Sequence, residues 1–213
     1  MEIIAHRGFW AQSSEKNTFS SFKKALENGY GIETDVRDLS GDIVISHDLP
    51  LGREDRLDSF LSLYGELGSH TILALNIKSD GLQEQLLNLF SKHSITNYFL
   101  FDMSIPDHIK SKNDFITYCR QSEYEEINNR VYSFSQGVWF DLFERAINKK
   151  DLEVIQKYID EGKKVCIVSP ELHGRDYLND WEKIKNYLPI NSNELSLCTD
   201  YPDKAEEFFY GEN

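Results

Sequence analysis

Two histidines, an arginine, a lysine and a series of acids recur at one kind of place in this chain, in or just past a short apolar run. His6-Arg7 follows Ile3-Ile4-Ala5, and His47-Asp48 follows Ile43-Val44-Ile45. Asn76-x-Lys78 follows Leu73-Ala74-Leu75, and Asp102 follows Phe99-Leu100-Phe101. Asp141 follows Val138-Trp139-Phe140, and Thr199-Asp200 ends the run that starts at Leu195. Imidazoles titrate near neutral pH, so two of them can serve as an acid and a base. A guanidinium and an ammonium suit an anionic group, the guanidinium through paired contacts. Glu33 and Asp35 are spaced i, i+2, which on a strand turns both carboxylates to one face. Like charges there repel. A hard cation such as Mg²⁺ or Ca²⁺ resolves this, and so does pairing with Arg7, Arg37 or Lys78; the spacing alone does not choose.

These residues need a frame that brings strand ends together. The apolar runs predict strands at 2–6, 31–36, 71–78, 98–102, 115–119, 138–141, 164–169 and 195–199, most of them continuous enough to be buried on both faces of a parallel sheet. An extra strand at 42–47 follows a hairpin signal in Leu39-Ser40-Gly41-Asp42. Between the strands lie helix patterns. Asn17-Thr18 caps one with Phe19, Phe22, Ala25 and Leu26 at helical spacing, closed by Gly29. Others are predicted at 82–93, 150–161, 176–187 and 203–209. Eight strands with interleaved helices at roughly 25-residue intervals predict an α/β chain, a single compact (β/α)₈ barrel with a small hairpin insertion after its second strand. One domain over 1–213 is expected. In such a barrel the site lies at the C-terminal ends of the strands, where the polar residues collect.

Composition narrows the partners. The chain has 213 residues, shorter than the roughly 250 typical of this barrel. A net charge of −13 argues against nucleic acid and against anionic membranes. No apolar run approaches the ~20 residues of a membrane span, and no secretory signal is visible, so neither membrane insertion nor export is expected and the protein reads as cytoplasmic. Cys119, Cys166 and Cys198 have no metal or redox spacing and read as buried free thiols. His70, His93 and His108 read as surface residues. Oligomeric state is not written in any of these features.

Four motifs in order carry a resemblance: Ile4-Ala5-His6-Arg7-Gly8, Asn17-Thr18-Phe19-x-x-Phe22, Ile32-Glu33-Thr34-Asp35-Val36-Arg37 and Val44-Ile45-Ser46-His47-Asp48. Together they resemble the N-terminal signature of glycerophosphodiester phosphodiesterases, barrel hydrolases of lipid metabolism. Leu75-Asn76-Ile77-Lys78 and Cys198-Thr199-Asp200-Tyr201-Pro202 are similar to that family's third and last strands. The resemblance implies a metal-dependent hydrolase that splits a small-molecule phosphodiester into an alcohol and a phosphomonoester. It implies His6 and His47 as the acid–base pair, Arg7 and Lys78 on the phosphate, and Glu33 and Asp35 on a divalent ion, Mg²⁺ or Ca²⁺. In this family the substrate's own hydroxyl can attack first, giving a cyclic phosphate that water then opens.

Two positions depart from the pattern. Lys16 stands where the family has Glu, and Asn76 stands where it has a third acidic ligand. Asn76 can still ligate through its amide oxygen; Asp102 and Glu123 are the substitutes. Trp139, Glu171 and His173 are further candidates for substrate contact, the last two in a stretch that also holds Arg175. A lyase that stops at the cyclic phosphate uses the same residues. A barrel that binds a phosphorylated ligand without turnover accounts for Asn76, but it has no need for two histidines.

Overall fold

The computed structural model describes residues 1–211. Strands and helices alternate in the order β1 Glu2–His6, α1 Phe19–Glu27, β2 Gly31–Leu39, β3 Asp42–Ile45, α2 Leu57–Leu67, β4 Leu73–Ile77, α3 Gln83–His93 and β5 Tyr98–Phe101. There follow α4 Ile105–Ser111, β6 Tyr118–Gln121, α5 Asn129–Phe134, β7 Gly137–Phe140, α6 Lys149–Asp160, β8 Lys164–Val168, α7 Leu178–Tyr187, β9 Leu195–Thr199 and α8 Pro202–Tyr210. Eight strands are parallel and each leads to a helix, which makes the fold a (β/α)₈ barrel; the ninth, β3, is the expected hairpin insertion.

Contacts group the chain into two compact units, Ala5–Thr117 and a second made of Met1–Ile4 with the chain from Tyr118 on. In the first, β4 lies between β2 and β5, and Asp35 stands beside Asn76 in the β2–β4 register. β3 folds back antiparallel on β2, with Val36 opposite Ile45. Ser40 and Gly41 make the turn with φ of 50° and 92°. Positive φ at both central residues is what a two-residue hairpin turn requires. Helix α1 starts at Thr18, whose hydroxyl accepts from the Ser21 N–H, and it buries Phe22, Ala25 and Leu26. Its end is closed by Gly29 (φ 77°) and by Tyr30 N–H donating to the Ala25 carbonyl. Phe22 meets Phe60 of α2 with ring centres 4.6 Å apart. In the second unit β6, β7, β8 and β9 pair in sequence order. Trp181 of α7 is its largest fully buried side chain, with its indole N–H donating to Ser169 Oγ at 2.8 Å. The three cysteines are free and buried, and burial pushes the Cys119 thiol up to about 11.

The structure corrects the sequence reading in several places. The strand expected at 115–119 is β6 at Tyr118–Gln121, and the strand expected at 42–47 ends at Ile45, leaving His47 in a loop. Helices α2, α4 and α5 carry no counterpart in the predicted set. His93 is half-buried and lies 2.6 Å from Asp58 Oδ1, and His108 is buried in α4.

Burial lowers the His108 pKa to about 4 from 6.5. The unfolded chain therefore takes up this proton at a higher pH than the folded chain does. Stability rises with pH between about 4 and 6.5 and is lost on acidification through that window. At about 1.4 kcal/mol per pH unit the full loss is about 3 kcal/mol. Denaturant unfolding at pH 4 and pH 7 checks this, and His108→Gln should shrink the difference. If the variant and the wild type lose stability alike, another group is responsible.

Candidate active site

The chain leaves β1 at His6 and turns sharply. Arg7 takes a left-handed φ of 57°, and its N–H donates to the Glu33 carbonyl at 2.9 Å. Gly8 follows at φ 88°, pressed so close to α1 that a Cβ there would lie 2.5 Å from Ser21 Oγ and 2.8 Å from the Ser21 backbone carbon. Asn17, also left-handed, locks the turn: its N–H donates to the Arg7 carbonyl at 3.0 Å. Its side-chain amide donates to Asp35 Oδ2 at 3.1 Å and accepts from Thr34 Oγ1 at 2.8 Å. Asn17 thus sets the rotamer of Asp35, a role that its type and its place before the cap residue hint at but do not state.

Glu33, Asp35 and Asn76 are all buried. The first two share a face of β2, and Asn76 is Asp35's neighbour on β4. Glu33 Oε2, Asp35 Oδ1 and Asn76 Oδ1 have no hydrogen-bond partner. Buried oxygens rarely stay unsatisfied. Among the described residues no group of three or more His, Cys, Asp or Glu is placed to hold an ion, so an ion here would need the Asn76 amide oxygen beside the two carboxylates. Two cations of the chain stand beside them. Arg7 Nε lies 2.9 Å from Asp35 Oδ2, without hydrogen-bond alignment. Lys78 Nζ lies 3.6 Å from Asp35 Oδ1 and 3.7 Å from Asp102 Oδ2. Glu33 is less well served. His6 Nε2 is 3.8 Å from Glu33 Oε2, beyond hydrogen-bonding distance. Burial, and then the Asp35 carboxylate, push Glu33 well above the usual carboxylate range.

His47 sits on the loop after β3, exposed, with Nδ1 2.9 Å from Asp48 Oδ1. Arg37 holds that loop in place. Its Nε donates to the His47 carbonyl at 3.0 Å and its terminal NH1 to the Lys78 carbonyl at 3.1 Å. Ser46 N–H donates to the Asp35 carbonyl at 3.0 Å. One guanidinium therefore ties the His47 backbone to the Lys78 backbone. Arg37→Ala is expected to cut kcat by about 10–10²-fold through misplacement of the two side chains, with little change in melting temperature. Arg37→Lys should recover part of the loss. Unchanged kcat in Arg37→Ala would remove Arg37 from the machinery.

Arg7, Ser13, Lys16, Asn17, His47 and Arg53 are among the residues that line an open groove of about 470 Å³. Lys16 lies over the Trp10 ring, 4.2 Å from its centre, and the Trp10 indole N–H donates to the His6 carbonyl at 2.9 Å. His6, Arg7, Glu33, Asp35, Asn76, Lys78, Asp102 and His47 thus form one connected set in the first unit.

The second unit holds the remaining candidates. Trp139 is 4 % exposed, a core ring in this structure. Glu171 accepts from Ser169 Oγ, Thr199 Oγ1 and the Asp200 N–H, so its carboxylate braces the loop after β8 against the end of β9. Glu123 accepts from the Phe143 and Glu144 N–H groups at 2.9 and 2.7 Å, which engages both oxygens. His173 Nε2 lies 2.7 Å from Asp141 Oδ1, with its ring 4.7 Å from that of Phe143. Arg175 donates to the Arg145 and Leu142 carbonyls.

No protein-family model and no curated protein matches the chain. Solved structures do. A Galdieria sulphuraria protein assigned to the glycerophosphodiester phosphodiesterases aligns over 98 % of this chain and 97 % of its own, with a TM-score of 0.76 at 20 % identity. The glycerophosphodiester phosphodiesterase of Thermotoga maritima aligns over 95 % of both chains, with a TM-score of 0.70 at 18 % identity. The chain shares their fold. A Ca²⁺-dependent phosphatidylinositol-specific phospholipase C from Streptomyces antibioticus has it too, over 99 % of this chain and 98 % of its own, with a TM-score of 0.60 at 9 % identity. At these identities the likeness speaks for the barrel; the site has to be read from its residues.

Proposed function

We propose that this chain is a metal-dependent phosphodiesterase that splits a glycerophosphodiester-like small molecule into an alcohol and a phosphomonoester, and that it acts in the cytoplasm. The observation that carries the reading is the set of three buried oxygens of Glu33, Asp35 and Asn76 that accept no hydrogen bond, flanked by Arg7, Lys78 and His6. These oxygens fit a hard divalent ion, Mg²⁺ or Ca²⁺. Such an ion, when bound, polarises a phosphoryl oxygen. Asn76 takes the third position here, beside Asp35 in the β2–β4 register, whereas Glu123 spends its oxygens on backbone N–H groups.

The residues of the chain do the rest. Arg7 and Lys78 hold the nonbridging oxygens and offset charge that grows on them as phosphorus gains a fifth ligand. One histidine takes the proton from the substrate's attacking hydroxyl and the other delivers one to the departing alkoxide; water then opens the cyclic phosphate, with the two proton transfers reversed, to give the phosphomonoester. Asp48 holds Nδ1 of His47, which leaves Nε2 as the nitrogen turned to that work. The Trp10 indole holds the backbone of His6. The similarity of the barrel to those of glycerophosphodiester phosphodiesterases supports this chemistry. Incubation with a panel of phosphodiesters in Mg²⁺, Ca²⁺, Mn²⁺ or EDTA tests it, read by phosphorus NMR. A phosphomonoester formed with a divalent ion and absent in EDTA is expected. Accumulated cyclic phosphate would make the chain a lyase, and no turnover under any condition would end the reading.

A further inference from the structure

The loop that carries His47 ends in an apolar tip. Leu49 and Leu51 are 78 % and 75 % exposed, more than any other large hydrophobic side chain among the described residues. Two leucines held in water are unfavourable, and a slack loop would fold them down. This loop is braced at its base and its tip. At the base, Ile45 N–H donates to the Asp55 carbonyl at 2.8 Å, and Val44 pairs antiparallel with Arg56. At the tip, the Glu54 carboxylate accepts the N–H groups of Leu51, Gly52 and Arg53 at 2.6, 2.8 and 2.9 Å. Ser46 Oγ closes the near side on the Asp48 carbonyl at 2.8 Å, and Pro50 fixes its own φ between the two leucines.

The same loop builds the groove. Ser46, His47 and Asp48 line it before the leucines, and Arg53, Glu54 and Asp55 line it after them. The apolar pair is therefore bracketed in sequence by the groove wall. Arg7, Lys16 and Arg53 line the groove as cations and Asp48, Glu54 and Asp55 as acids, of which Glu54 is engaged by three backbone N–H groups and Asp48 by His47; the leucines lie between these wall residues in sequence. A charged recess with an apolar rim fits a molecule that has an anionic head and an apolar tail. A chain of net charge −13 is poorly suited to lie on an anionic bilayer, which favours a single dissolved molecule over a membrane surface.

We propose that Leu49 and Leu51 receive the alkyl or acyl chain of a single-chain phosphodiester amphiphile whose phosphate lies in the groove. The proposal rests on the phosphodiesterase reading above and adds the chain. Its test needs no turnover: the affinity of the full-length protein for methyl, butyl, hexyl and octyl phosphate, measured by calorimetry below the micellar range. Full burial of a methylene is about fourfold in affinity, so a one-sided rim should give about twofold per methylene. The double variant L49S/L51S should flatten the series. A flat series in the wild type, or a slope that survives in the double variant, overturns the proposal. So does self-association that the double variant abolishes, which would assign the leucines to a second copy of the chain. A parallel assay compares turnover of a glycerophosphodiester with and without an alkyl chain. Failure of both substrates counts against the phosphodiesterase reading; turnover of both with no chain-length dependence counts against the chain alone.

Discussion

His6→Ala and His47→Ala should each lower kcat by about 10²–10⁴-fold while leaving the fold intact. The structure gives each residue a different exposure to side effects. His47 is solvent-exposed and contacts Asp48, itself 93 % exposed, so its removal leaves no cavity. His6 is mostly enclosed and lies 3.8 Å from Glu33, so His6→Ala removes packing as well as a proton carrier. His6→Gln keeps most of that volume and separates the two effects. The measurement is kcat on a turned-over phosphodiester with circular dichroism and a melting curve beside it. Unchanged turnover in both alanine variants would sink the acid–base assignment.

Asn76→Asp should tighten divalent-ion binding, and Asn76→Ala should weaken it by at least the roughly 10–100-fold that loss of a mere supporting contact costs a metal site. Counting the ion, Glu33, Asp35 and a monoanionic diester gives −1 with Asn76 and −2 with a third carboxylate. The added charge strengthens attraction for the ion and opposes approach of the substrate. Without an ion, a third carboxylate beside Glu33 and Asp35 is buried and poorly compensated, since Arg7 and Lys78 already serve Asp35. The Asn76→Asp protein should therefore melt lower than wild type in EDTA and gain more from saturating Mg²⁺ or Ca²⁺. Calorimetric titration of the three forms decides the matter. Equal affinities would place Asn76 outside the coordination sphere and return Asp102 to consideration.

What could be read from the sequence follows what side chains express. Strands that are continuous apolar runs, such as Tyr98–Phe101 and Gly137–Phe140, announce themselves, and so does the Ser40-Gly41 turn. The Glu33–Asp35 spacing states its own geometry once a strand is granted. Residues that act through backbone groups are harder to see. Arg37 and Asn17 meet the carbonyls of His47, Lys78 and Arg7, and a carbonyl has no sequence identity. The same holds for Glu171, Glu123 and Glu54: an acid in a loop is visible, but the N–H groups it collects are not. The missed helices fail for other reasons. At 7 and 6 residues, α4 and α5 are too short for a helical period to repeat, and α2 carries Gly65 inside it. The register of β6 slipped because Phe115 is buried without being in the strand, whereas Arg120 and Gln121 are in the strand without being apolar.

The pairing that closes the His47 loop at its base separates the length of that loop from the stability of the barrel. The ends are already fixed by Ile45 with Asp55 and by Val44 with Arg56, so lengthening the span between them costs only the logarithm of its length in chain entropy. His47 itself is held by Arg37 on its carbonyl and by Asp48 on its ring, and not by the tip. The segment between Asp48 and Asp55 is thus an exchangeable cassette: descendants of this chain could acquire new preferences by trading that stretch alone, with the strands, Glu33, Asp35, the histidines and the Asp48 that orients His47 left where they are.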